Sequence, residues 1–461
     1  MELTQEGIDM VPETVLQCIT TLQQAGYPSY LVGGCVRDLL LGKEPQDFDI
    51  ATAASPETVG RLFRRVVPTG LPFGTVTVLL PDPIEVTTFR YDGRYTDGRH
   101  PEQVEFTSDL EADLARRDFT VNAMAWDPVA DTLVDPWGGR RDLKQGLIRS
   151  VGDPAARFGE DGLRLLRAVR FVSQLEFTIE AETLAALGAG AAGLQRVAKE
   201  RIGREFAQLV VGEGVFEALW LLVDTGLLEY IVPELLCGQG VKQGRLHRED
   251  VLGHNLRTCS LTPPELPVRL AGLLHDVGKA GEFSEGPYGR FFPGHAARSA
   301  AAIPPILRRL CYNRQLVNTV TLLVGNHMFF WREPQGLPPV RRLAAQVGWD
   351  NFGLLIELIK ADRSAIWADP QQAGIGDLEA AYRQVVAERP PLTAAELALS
   401  SEELMEELGV EPGPALGALR QQLLEAVWDN PALNARPHLL ALAWKQLDAS
   451  RQNSTISDSK K

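Results

Sequence analysis

The chain has 461 residues, 45% of them hydrophobic, and a formal net charge of −14, which is length enough for roughly two to four domains around a sizeable core. No apolar run is long enough to cross a bilayer, and the start lacks the basic, apolar and small-residue pattern of a leader. The five cysteines (Cys18, Cys35, Cys237, Cys259, Cys311) show no CxxC spacing, which fits reduced thiols better than a disulfide framework or zinc ribbon and makes the cytoplasm the expected location. The acidity argues against indiscriminate nucleic-acid binding but not against a local basic cleft. Residues 141–205 hold eleven Lys/Arg against nine Asp/Glu, whereas residues 366–461 hold eight against fourteen.

Residues 1–25 read as a short amphipathic helix, and strands are expected at Ser29–Val32, Asp47–Thr52, Gly74–Leu80 and Ile84–Arg90. Gly33 and Gly34 form a turn that lets backbone approach a polyphosphate, and Arg37 can clamp it bidentately. Asp47 and Asp49 are two apart in a strand-like run, so both carboxylates face one side and can hold the same metal ions. Together these residues describe Mg²⁺-dependent attack on the α-phosphate of a nucleoside triphosphate. Glu85 is the nearest candidate for a third carboxylate; an edge-strand charge is the other reading of it. Ser55 and Pro56 mark a helix start, as N-cap and N1, leading into Thr58–Arg65. From Pro154 the pattern is helical and no strand run recurs. Proline pairs at 263–264 and 390–391, and Pro412 and Pro414, punctuate that body, and the polar stretch 452–461 is expected to be disordered.

The order and spacing of Leu31 to Ile50 resemble motif A of the class II tRNA nucleotidyltransferases, relatives of the bacterial poly(A) polymerases. Asp113 to Ala125 resembles motif B, Asp135 to Leu143 the motif C turn, Glu160 to Phe171 motif D, and Glu200-Arg-Ile202 motif E. The resemblance spans about residues 25–210. It implies an α+β chain: a nucleotidyltransferase head with a mixed sheet (residues 1–150), a helical neck (151–245), a helical body (246–366) and a tail (367–461). It also implies catalytic Asp47 and Asp49, and contacts to the incoming nucleotide from Gly34, Arg37, Arg117, Asp161, Arg164, Arg167 and Arg170. CTP, ATP and the tRNA 3′ end are its expected partners.

Asp161 and Arg164 are spaced i, i+3 and are expected to share a helix face. A carboxylate only accepts and a guanidinium only donates. Cytosine and adenine both offer an amine donor beside a ring-nitrogen acceptor, whereas uracil and guanine offer the reverse. One Asp/Arg pair therefore admits C and A and rejects U and G. Phe89 to Gln103 resembles the flexible loop of CCA-adding and A-adding enzymes, and Gly70 to Val76 resembles the CCA-type turn. Full CCA addition is the expectation. An A-adding specialist is the near alternative, with a poly(A) polymerase or a phosphohydrolase bearing a non-catalytic RNA-binding head further off.

A second constellation follows. His275-Asp276 is a vicinal pair in an apolar run, costly to bury unless it coordinates something. With His254, His295, His327 and Asp362 it follows the order of an HD-type phosphohydrolase. That resemblance implies one metal held by His254, His275, Asp276 and Asp362, and a second completed by His295 and His327, with transition metals favoured by the imidazoles. It carries a precedent of phosphatase and 2′,3′-cyclic phosphodiesterase activity. A retained scaffold without turnover is the other reading. His100, His247 and His438 match neither motif and are expected on the surface or in loops.

Overall fold

Pro12 divides the expected first helix in two, because a proline has no N–H with which to continue the ladder. In the computed structural model, which describes residues 3–93, 104–244, 246–281, 283–286, 289–367 and 373–458, the pieces are α1 (Gln5–Asp9) and α2 (Glu13–Gln24). The second buries Val15, Cys18, Ile19 and Leu22 at helical spacing. β1 (Ser29–Val32) leads through Gly33 into α3 (Gly34–Leu40), a helix where the sequence suggested only a turn. β2 (Asp49–Thr52) starts two residues later than expected, leaving Asp47 just outside it. α4 (Pro56–Leu62) begins as the sequence predicts, with the Thr58 N–H donating to the Ser55 hydroxyl at 3.3 Å.

β3 (Val66–Gly70), which the sequence did not announce, precedes β4 (Thr75–Leu79) and β5 (Pro83–Thr88). β6 (Arg90–Asp92) and β7 (Val104–Phe106) pair in a separate ribbon. Residues 94–103, most of the expected flexible loop, lie outside the described residues. After α5 (Leu110–Ala115), β8 (Ala125–Asp127) and β9 (Thr132–Val134) complete a seven-stranded sheet in the order β3-β4-β5-β2-β1-β8-β9. Among the described strands of this sheet, β2 and β5 alone run parallel, with Asp49 in register with Glu85. Glu85 therefore sits on an interior strand, which corrects its reading as an edge-strand charge.

Helices then dominate: α6 (Gly139–Gln145), α7 (Pro154–Glu160), α8 (Leu163–Leu175), α9 (Ala181–Gly190), α10 (Lys199–Val210), α11 (Val215–Asp224), α12 (Leu228–Ile231) and α13 (Pro233–Leu236). The expectation of no strand beyond Pro154 needs correction. β10 (Leu147–Ile148) pairs in parallel with β11 (Thr178–Ile179), and β12 (Ser284–Gly286) forms a hairpin with β13 (Gly289–Phe291). Strands this short leave no alternation for a sequence to display.

The chain divides into two compact units, Met1–Leu236 with Arg309–Tyr312, and Cys237–Arg308 with Asn313–Lys461. Within the second, α14 (Val251–Leu261) packs on α15 (Leu266–Leu274), and both pack on α19 (Trp349–Ile366). α16 (His295–Arg309), α17 (Arg314–Asn326) and α18 (Pro338–Val347) lie between them in sequence. α20 (Ile375–Glu388), α21 (Ser401–Leu408), α22 (Pro414–Asp429) and α23 (Arg436–Asp458) follow, and Leu399, Leu404, Leu423, Val427 and Leu439 form a buried cluster there. The stretch expected to be disordered from residue 452 is helical as far as Asp458. After Pro437 the sequence contains no glycine or proline, so nothing stops α23 from propagating. Among the described residues no helix is long and apolar enough to cross a membrane, and all five cysteines are free.

Candidate active and metal-binding sites

Asp49 opens β2 with Glu85 opposite it on β5 and Asp47 two residues upstream. Burial lifts the Asp49 carboxyl to about 6; the like charges of Asp47 and Glu85 push the same way and Arg117 opposes them. Three carboxylates against one guanidinium leave uncompensated negative charge, an environment that suits a hard divalent cation. Gly33 turns here with φ +79°, and a Cβ on it would stand 3.0 Å from Arg117 Nη1. Only glycine lets backbone, arginine and carboxylate approach so closely.

A polar cavity of about 320 Å³ adjoins, lined by Gly33, Gly34, Asp49 and Asp161 together with Arg116, Arg117, Arg164, Arg167 and Arg201. Five guanidiniums in one cavity match the charge and fork geometry of a polyphosphate. Each is held in place. Arg116 and Arg117 share Asp113 at 2.9 and 3.2 Å, and Arg167 pairs with Asp118 at 2.6 Å. Arg37 and Arg170 do not line this cavity. Arg37 pairs with Asp38 and donates to Asn122 Oδ1, both at 2.8 Å, and Arg170 pairs with Glu205 at 3.0 Å. Both guanidiniums rest on the Phe171 ring, 5.3 and 4.6 Å from its centroid.

Burial would raise the Asp118 carboxyl, yet Arg167 and Arg164 outweigh it and hold it near about 2. Its folded value is depressed, so it stabilises the fold above its ordinary value of about 3.9 and loses that contribution as pH falls toward 2. Asp118→Asn is expected to cost about 2 kcal/mol at neutral pH. Denaturant unfolding of both proteins checks this, and the difference should shrink as the pH is taken from about 4 downward.

The expected shared helix face of Asp161 and Arg164 is corrected. Asp161 ends α7 in extended conformation (φ −139°, ψ 107°), and Gly162 caps α8, so a break separates the two. The Asp161 carboxylate accepts the Leu163 N–H at 3.0 Å, a local bond that competes with a continuous helix. Arg201, from α10, pairs with it at 2.7 Å. Arg164 instead pairs with Glu160 and donates to the carbonyls of Arg157 and Arg116. Arg201 and Arg116 belong to motifs E and B without being singled out in the sequence: Arg116 has its partner Asp113 three residues away, but nothing local marks Asp161 as the partner of Arg201.

In the second unit, His275, His295 and His327 share one device. Each Nδ1 lies 2.7–2.8 Å from the backbone carbonyl three residues earlier, those of Gly272, Phe292 and Val324. A carbonyl can only accept, so each Nδ1 carries a proton and each Nε2 presents a bare lone pair when the ring is neutral. Those lone pairs converge: His275 Nε2 is 3.2 Å from His254 Nε2, and His295 Nε2 is 3.3 Å from His327 Nε2. Asp276 stands among all four, with Oδ2 3.3 Å from His275 and Oδ1 3.2 Å from His295. Two ligand groups result, His254–His275–Asp276 and Asp276–His295–His327. Asp362 adds an oxygen 3.0 Å from His254, and Lys279 lies 2.5 Å from Asp276.

Burial would lower His275, but Asp276 and Asp362 overcome it and lift it to about 10; burial and then the His275 charge bring His327 down to about 4. Facing lone pairs favour a positive charge between them, which a divalent ion would supply. The donor set, imidazoles with a central carboxylate, fits a transition metal. A cavity of about 710 Å³ opens onto Asp276, His295, His327 and Asp362. His247, expected on the surface or in a loop, is on a loop, and it lines this cavity, 5.3 Å from the His254 ring; burial and Lys279 lower it to about 4. His438 is exposed, and His100 lies outside the described residues.

The profile of the poly A polymerase head domain matches residues 29–149, and that of the probable RNA and SrmB-binding site of polymerase A matches residues 176–237. The chain is 49% identical over 221 residues to the CCA-adding enzyme of Anoxybacillus flavithermus, covering 48% of this chain and 55% of that one, so it spans about half the length of that relative. With the CCA-adding enzyme of Lactiplantibacillus plantarum it is 33% identical over 426 residues, 92% of this chain and 94% of the relative. The Bacillus stearothermophilus CCA-adding enzyme, solved with CTP, superposes with a TM-score of 0.73 at 29% identity, covering 96% of this chain and 98% of that one. The Thermotoga maritima CCA-adding enzyme, solved with tRNA, shares the fold at a TM-score of 0.60 and 19% identity, covering 97% of this chain and 99% of that one.

Proposed function

Because the chain belongs to the CCA-adding enzyme family, we propose that it adds cytidylate and adenylate from CTP and ATP to the 3′ end of tRNA without a nucleic-acid template. The observation that carries this reading is the meeting of the Asp47–Asp49–Glu85 cluster with a cavity of five arginines, Arg164 among them, that also contains Asp161. The CTP complex of the similar Bacillus enzyme supports the same reading. Asp47 and Asp49, with Glu85, hold Mg²⁺, which when bound neutralises phosphate charge and favours ionisation of the attacking hydroxyl. Arg116, Arg117 and Arg167 take the phosphates, with Gly33 and Gly34 allowing close approach. Asp161 accepts from the exocyclic amine of C or A, and Arg164 donates to the adjacent ring nitrogen. The reading divides the chain into head (1–150), neck (151–245), HD-type region (246–366) and tail (367–461), working in the cytoplasm. An A-adding specialist would use the same cavity.

Base choice tests the assignment. Asp161→Ala and Arg164→Ala are each expected to slow CTP and ATP incorporation about tenfold or more and to admit UTP or GTP, because an unpaired buried group no longer penalises them. Incorporation of each nucleotide into tRNA lacking its terminal residues provides the measurement. Equal loss on all four with unchanged preference would make these residues supports of the fold.

A second activity, metal-dependent phosphohydrolysis, is favoured by the three imidazoles whose Nδ1–H bonds turn their Nε2 atoms toward Asp276. His254, His275, Asp276 and Asp362 hold one transition-metal ion, and Asp276, His295 and His327 the other. A bound pair would supply a hydroxide nucleophile at neutral pH. Lys279 and His247 line the cavity where a phosphate group is received.

A further inference from the structure

Two oppositely charged side chains three residues apart ordinarily satisfy each other. A pair that reads a base edge must not, since a mutual ion pair would consume both the acceptor and the donor. Asp161 and Arg164 form no ion pair with each other among the described residues, although both line the same cavity. Each has a partner of its own: Arg201 for Asp161, Glu160 for Arg164.

The Arg201 contact is bidentate. Nη2 donates to Asp161 Oδ2 at 2.7 Å and Nη1 to Oδ1 at 3.3 Å, while the Leu163 N–H takes Oδ1 at 3.0 Å. An ionised carboxylate offers about four lone-pair directions. Three are occupied, and the fork fixes the carboxylate plane, so the remaining direction lies on Oδ2. The restraint comes from another helix. Its own segment reaches Asp161 at Oδ1 through the Leu163 N–H, whereas the bond to Oδ2 comes from Arg201 on α10, which buries Ile202 and Phe206.

We propose that Arg201 is a specificity-determining positioning residue, holding Asp161 away from Arg164 so that one acceptor and one donor remain open to the nucleobase. This rests on the nucleotide-adding reading above. Without Arg201 the arginines left in the cavity beside Asp161 include Arg164 and Arg167, and the acceptor is expected to collapse onto one of them.

The test compares the full-length chain with Arg201→Gln and Arg201→Lys, measuring kcat and KM for CTP, ATP and UTP on tRNA lacking its terminal residues, with thermal midpoints and tRNA affinity alongside. Arg201→Gln is expected to lower kcat/KM for CTP about tenfold, chiefly through KM, and to narrow the preference for CTP over UTP by a similar factor. Arg201→Lys restores charge without the fork, so it should recover part of the rate but not the preference. Thermal midpoint and tRNA affinity should stay near those of the unmodified chain. A proportionate loss on all three nucleotides at unchanged preference, or wild-type behaviour in both variants, would overturn the assignment. Failure of the unmodified chain to add C and A would overturn the nucleotide-adding reading itself, and the inference with it.

Discussion

Asp49→Asn is expected to abolish nucleotide incorporation while leaving the metal-free protein at least as stable as before. The two outcomes have one cause. Asp49 is partly buried beside Asp47 and Glu85, and its carboxyl is raised to about 6 by burial and those charges. A carboxylate whose folded value lies above its ordinary one is opposed by the fold when ionised, so at neutral pH its charge costs stability until a cation compensates it. Asparagine removes the repulsion and the metal ligand together. Loss of one ligand in a two-metal site should cost about 4 kcal/mol or more of transition-state stabilisation, about a thousandfold in rate. Asp47→Ala should behave alike in activity. A variant that is inactive and also poorly folded would place Asp49 among the structural residues instead.

The second large effect is expected at Asp276. It is buried and is the shared member of both histidine groups. Asp276→Ala should eliminate metal binding at both positions, whereas His327→Ala should spare the group that contains His254 and His275. Phosphohydrolase activity should vanish in Asp276→Ala and His275→Ala, with CTP and ATP incorporation close to normal, since none of these residues lies in the arginine-lined cavity. Elemental analysis after reconstitution with manganese, cobalt or zinc reads the first step. If the unmodified chain retains no transition metal, the imidazoles are structural and the hydrolase reading goes with them.

Linear motifs were legible because they are local. Gly33-Gly34, Asp47 and Asp49 sit within one β–α–β passage, so spacing alone brought them together. Glu85 could be suspected but not assigned, because its role depends on the register of β5 against β2, which is a property of pairing rather than of either strand. Asp161 and Arg164 illustrate the opposite failure. Their i, i+3 spacing suggested one continuous helix, but Gly162 and the Asp161–Leu163 bond break it, and the carboxylate's true partner comes from forty residues downstream. His247 was passed over because it belongs to no motif; only the packing of its loop against His254 brings it to the cavity. The short strands β10 to β13 left no periodicity to read, and α23 outran its polar composition because nothing in that stretch breaks a helix.

The central claim is that one cavity adds both C and A, in that order, without a template. It is tested most directly by incubating the purified chain with Mg²⁺ and tRNA that ends before its terminal CCA, supplying labelled CTP and ATP separately and then together, and resolving the products at single-nucleotide length. The account predicts two cytidylates from CTP alone and completion with a single adenylate when ATP is added. Addition of adenylate only, and only to tRNA already ending in CC, would identify an A-adding specialist and contradict it.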